Sequence, residues 1–99
     1  MKKHGSRRKP TTPGEILREE FLVPLGISQK EFAAHLGCDI KVVNRIVNGR
    51  SAVTAGMALK LGAALRTSPE FWLNAQKAVD LHRAAGHASR LPAPILHAD

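Results

Sequence analysis

Ser28-Gln29-Lys30-Glu31-Phe32-Ala33-Ala34-His35-Leu36-Gly37-Cys38-Asp39-Ile40-Lys41-Val42-Val43-Asn44-Arg45-Ile46-Val47-Asn48-Gly49-Arg50 is the stretch that decides the fold. Ser28 and Glu31 have capping-box spacing, so each can satisfy a free backbone donor of the other and open a helix. That helix sets Phe32, Ala33 and Leu36 on one face and stops at Gly37. Asp39 can cap a second helix, whose inner face is Val43, Ile46 and Val47 at i, i+3, i+4 spacing. Asn48-Gly49 ends it in residues that tolerate a left-handed turn. With only Gly37-Cys38-Asp39 between them, two short helices must cross steeply. The crossing needs a small residue, supplied by Ala33, and the turn needs a residue tolerant of positive φ, supplied by Gly37. A helix-turn-helix is the expected result.

The signals on either side are helical too. Thr12 can cap, Pro13 suits the first helical position, and Ile16, Leu17, Phe21 and Leu22 form a stripe that Pro24 and Gly26 end. Thr54 opens a fourth helix with Ala58, Leu61, Ala64 and Leu65 inward. Ser68-Pro69-Glu70 opens a fifth, expected over residues 69–84. No apolar/polar alternation lasts long enough for a strand. The chain is therefore expected to be all-α, a five-helix domain over 12–85. A disordered basic N-terminal arm (1–11) precedes it and a loose tail (86–99) follows.

The 99 residues leave room for one small domain, and an apolar share of 43% supports a packed core. Fifteen Lys and Arg against eight Asp and Glu give a formal charge of +7, which points to an anionic partner, nucleic acid first. Lys2, Lys3, Arg7, Arg8 and Lys9 put five of those cations in the first nine residues. The arm reads either as a solubilising tail or as a phosphate-seeking one. No apolar run approaches the roughly 20 residues that cross a bilayer. Polar residues 10–15 follow the basic start, so it does not read as a secretory leader. Cys38 stands alone and has no disulfide partner, in keeping with a reducing cytoplasm.

The central stretch resembles the phage-repressor/Cro (XRE) helix-turn-helix family. Pro13-Gly14-Glu15-Ile16-Leu17-Arg18-Glu19-Glu20-Phe21, Pro24-Leu25-Gly26 and Ser68-Pro69-Glu70-Phe71-Trp72-Leu73 are similar to its HigA (VapI-like) antitoxin branch. The resemblance covers about residues 12–85. It implies a dimeric operator-binding protein whose second motif helix enters the major groove. By position, Ile40, Lys41 and Arg45 fall where the family reads bases, and Gln29 falls where it clamps a phosphate or the edge of the site. The helical period agrees, turning Lys41, Val42, Asn44, Arg45 and Asn48 away from the buried face. Arg45 can pair bidentately with guanine, Asn44 can reach adenine or a phosphate, and Ile40 or Val42 can touch a thymine methyl. Lys41, Arg50 and the Asn48-Gly49 backbone suit phosphates. Phe71, Trp72, Ala75 and Val79 make the last helix apolar over more than one face, and the resemblance implies that this helix helps form a homodimer.

Nothing else in the sequence points to chemistry. Glu15, Glu19 and Glu20 surround Arg18 on a solvated face, and the histidines lack zinc-ligand spacing with Cys or Asp. With no nucleophile beside a base and no phosphate-cradling loop, no enzyme, metal site or cofactor is expected. Three functions stay open. One is a cytoplasmic antitoxin that represses its own operon and neutralises a co-encoded mRNA-cleaving toxin of the HigB/RelE type. The second is a solitary XRE regulator without a toxin, and the third is a basic adaptor that contacts only proteins. The helix-turn-helix spacing counts against the third.

Overall fold

The computed structural model describes residues 8–96. The first seven residues of the basic arm and the last three of the tail lie outside it. Five helical runs follow one another with no strand among the described residues. α1 spans residues 13–25, α2 is Gln29–Leu36, α3 is Ile40–Val47, α4 is Ala55–Leu65 and α5 is Pro69–His87.

Side chains begin every one of these runs. Thr12 Oγ1 accepts from Glu15 N at 3.1 Å, and Thr12 N donates to Glu15 Oε1 at 2.9 Å. Ser28 and Glu31 repeat the exchange at 3.0 and 2.9 Å. Asp39 caps α3 through Lys41 N, Thr54 caps α4 through Met57 N, and Ser68 caps α5 through Phe71 N. Each bond occupies one of the four backbone donors that a helix start leaves free.

The two reciprocal boxes have a consequence in acid. The hydrogen bond from the Thr12 N–H holds the Glu15 carboxyl below its ordinary value of 4.5, and the Ser28 N–H does the same to Glu31. A carboxyl whose folded pKa lies below its unfolded one stabilises the fold above the unfolded value. It gives that contribution up as pH falls through the folded value. Thermal melts across a pH series should therefore show a loss of stability below about pH 4.5 that is shallower in a Glu15→Gln/Glu31→Gln double variant. Identical acid profiles would show that the boxes carry no such linkage.

Two features of the helices differ from the sequence expectation. Residues Leu17–Leu22 within α1 are π-helical, with Val23 N–H donating to Arg18 O. At about 100° per residue, a regular helix would set Leu17 and Leu22 roughly 140° apart. The wider i→i+5 turn aligns them, and both are buried. Helix then continues past Pro24 to Leu25 before Gly26 ends it at φ 67°. At the other end, α5 passes through Gly86 and stops at His87 rather than near Ala84. A glycine weakens a helix by about 1 kcal/mol but does not by itself end one.

The core gathers one apolar face from every helix: Leu17 and Leu22, Phe32 and Ala33, Val43 and Ile46, Ala58 and Leu61, and Trp72. Trp72 is fully enclosed, lies tilted at 5.7 Å from Phe21, and donates from Nε1 to Thr67 Oγ1 at 2.6 Å. No buried side-chain polar atom among the described residues lacks a partner. Gly14 and Gly62 are where helices come closest. A Cβ on Gly14 would run into the carbonyl oxygens of Ile46 and Val47, and one on Gly62 would lie 2.8 Å from Thr67 O. α1 is thus seated against the backbone of the last turn of α3, a contact that only glycine permits.

Candidate nucleic-acid interface

α2 and α3 meet through a three-residue turn in which Gly37 adopts φ 75°. Cys38 N donates to Ala33 O at 3.0 Å and closes that turn. Val43, Ile46 and Val47 anchor α3 in the core, as their spacing predicts. The same anchoring leaves Lys41, Asn44, Arg45 and Asn48 exposed along the opposite side, with Ile40 at its start 44% exposed and Arg50 just beyond its end. These side chains form a single outward face on a short helix braced from behind.

Three amides link that face to α2. Asn44 Nδ2 donates to Gln29 Oε1 at 3.1 Å, and Asn48 Nδ2 donates to Asn44 Oδ1 at 3.2 Å. Gln29 is half-buried at the start of α2, so the chain of bonds runs from there to the C-cap of α3 and orients all three side chains. One donor hydrogen on Asn44 and both on Gln29 remain available to a ligand. Sequence reasoning missed this link, because Gln29 and Asn44 are fifteen residues apart and neither type is diagnostic.

No carboxylate among the described residues lies within 4.0 Å of a cation on this face. Among the described residues the one ion pair is Arg18 with Glu19 at 2.8 Å, on α1. Lys41, Arg45 and Arg50 therefore present net positive charge outward.

Three expectations need correction. Val42 is half-buried against the core, on the side it shares with Ile46 four residues on, so it is not part of the free face. The Asn48-Gly49 backbone does not offer phosphate donors. Asn48 N donates to Asn44 O, Gly49 N to Ile46 O at 3.0 Å, and Arg50 N to Arg45 O at 2.8 Å, satisfying the carbonyls at the end of α3. Trp72 belongs to the monomer core and is out of reach of a second copy. Of the other residues expected at a dimer interface, Phe71 is exposed while Ala75 and Val79 are half-buried.

No group of three His, Cys, Asp or Glu among the described residues is placed to hold a metal ion. No helix among them is long and apolar enough to cross a membrane.

A capped helix braced across a glycine turn, with its polar face outward, defines a helix-turn-helix protein. A helix-turn-helix family model matches residues 17–72, and the chain belongs to that family, in its HigA antitoxin branch. It is 47% identical over 76 residues to antitoxin HigA-1 of Vibrio cholerae serotype O1, covering 77% of this chain and 71% of that protein. It superposes on antitoxin GraA in complex with its operator with a TM-score of 0.73 at 45% identity, covering 87% of this chain and 95% of that one. On the Pseudomonas aeruginosa antitoxin HigA with the higBA promoter the TM-score is 0.79 at 35% identity, with 88% and 99% covered.

Proposed function

We propose that the chain is an antitoxin that binds operator DNA as a homodimer, represses its own operon and neutralises a co-encoded mRNA-cleaving toxin of the HigB/RelE type. It acts in the cytoplasm by binding and carries out no catalysis. The observation that carries this reading is the braced outward face of α3, on a fold shared with antitoxins solved on a promoter and on an operator.

In this reading α3 enters the major groove. Arg45 pairs with a guanine edge, Asn44 reads adenine or touches a phosphate, and Ile40 contacts a thymine methyl. Gln29, Lys41, Asn48 and Arg50 hold the flanking phosphates. Two copies joined through α5, with Phe71 and Ala75 facing the partner and Val79 turned into the cleft beside the end of α3, read half-sites about 34–36 Å apart.

Arg45→Ala should cost about 1–3 kcal/mol per half-site at the promoter upstream of the chain's own reading frame and relax specificity at one base pair of each half-site. Anisotropy titrations against a panel of single-base variants read both effects. Unchanged affinity would remove α3 from the reading role. The toxin is tested by co-expressing the neighbouring small reading frame: growth arrest by its product alone, relieved by this chain, is the expected outcome.

A further inference from the structure

The C-terminal half of α5 faces the end of α3 across a cleft. Val79 and Arg83, four residues apart on one helical face, line two clefts that meet there. The larger, of about 470 Å³, is bounded by Lys9, Asn48, Gly49, His82 and Arg83, with Glu15 on its wall. The smaller, of about 90 Å³, adds Arg50, Ser51 and Gln76. Gln76 fixes the geometry, because its Oε1 accepts from Val53 N at 2.9 Å and ties α5 to the loop that follows α3.

We infer that Arg83, with Lys9 and His82 beside it, is a second phosphate-binding surface for duplex DNA, continuous with the recognition face of α3. Two observations carry it. The first is charge. Arg83 lines both clefts, with Lys9 on the larger and Arg50 on the smaller, and none of the three has a carboxylate within 4.0 Å among the described residues. The nearby carboxylates are hydrogen-bonded, Glu15 to the Thr12 N–H and Asp80 to Gln76 Nε2 at 3.0 Å, but keep their charge, and Glu15 attracts Lys9, so the surplus rests chiefly on Arg50 and Arg83. The second is continuity. The cleft begins at Asn48 and Gly49, where α3 ends, and the backbone N–H groups there are spent on α3 carbonyls. A phosphate passing the end of α3 therefore meets side-chain cations from α5 and the arm. Duplex DNA is the occupant because this charge adjoins the face already assigned to it.

The inference rests on the proposed DNA-binding function, and its test separates the two. Anisotropy titrations across roughly 0.05–0.2 M salt are made on the promoter duplex and on a scrambled duplex of equal length. Arg83→Ala removes one contact from each protomer, so in the proposed homodimer it should take about 1.8 from the log–log slope and weaken both complexes about sixtyfold at about 0.1 M salt. A Lys9→Ala/Arg83→Ala double variant should lose about twice that slope, and Arg83→Lys should keep it. Arg83 is exposed, so unchanged melting is the accompanying expectation. Unchanged slopes in both alanine variants, on a wild-type chain that binds promoter, overturn this surface and leave the α3 reading intact. A loss confined to the promoter duplex, at unchanged slope, overturns it as well. A wild-type chain that binds neither duplex overturns both proposals.

Discussion

Gly14→Ala should abolish tight promoter binding while leaving most helix content in place. The added methyl meets backbone atoms, the carbonyl oxygens of Ile46 and Val47, so no side-chain rotation relieves it. Either α1 lifts or the last turn of α3 moves, and that turn carries Arg45 and the C-cap Asn48. Overpacking of this kind costs about 1–3 kcal/mol in stability, and more where only backbone can give way. The effect on DNA should exceed the effect on folding, since the displaced element is the one that must fit the groove. Gly62→Ala is the control. Its methyl crowds Thr67 O and the Pro69 backbone at the α4–α5 turn, away from α3. That variant should melt earlier and still bind promoter when folded. Circular dichroism and anisotropy at low temperature measure both, and full promoter affinity in Gly14→Ala would refute the coupling.

Trp72→Ala should be the most destabilising single change, at about 3–5 kcal/mol for loss of a fully buried tryptophan. A small domain has only about 5–15 kcal/mol in all, so much of the variant should be unfolded near physiological temperature. The placement of Trp72 in the monomer makes a sharper statement possible. As the single tryptophan, it reports its own surroundings by fluorescence. Its emission should stay blue-shifted on dilution through dimer dissociation and move red only on unfolding. A red shift on dilution alone would return Trp72 to the interface. Phe71 packs edge-on against it at 5.1 Å and remains exposed, so Phe71→Ala should weaken association and also alter Trp72 emission in the monomer.

Much of this architecture is legible in the sequence because the deciding interactions are local. Ser28 and Glu31, Asp39, Thr54 and Ser68 lie within three residues of the donors they satisfy, so helix starts follow from residue type and spacing alone. Val43, Ile46 and Val47 declare the buried face of α3 by period. What stays hidden depends on a second segment. The role of Gly14 requires knowing that the end of α3 lies beneath it, and the Gln29–Asn44–Asn48 chain requires α2 and α3 at their actual crossing. The π-helical turn follows from a need to bury both Leu17 and Leu22, which a regular helical period conceals. The commitment of the Gly49 and Arg50 N–H groups is a property of how α3 ends, and side-chain identity does not report it. Arg66, at φ 57°, ends α4 in a conformation usually left to glycine or asparagine, so no residue signal marked it.

The five side-chain caps also bear on how the molecule assembles. Each helix is started by a residue within three positions of its first turn, and the turns between helices are short. Little chain entropy must be surrendered to bring distant segments together before ordered structure appears, and topologies of that kind cross their folding barrier quickly. The molecule should therefore regain its shape quickly after a thermal opening, because the contacts that start each helix lie close together along the chain.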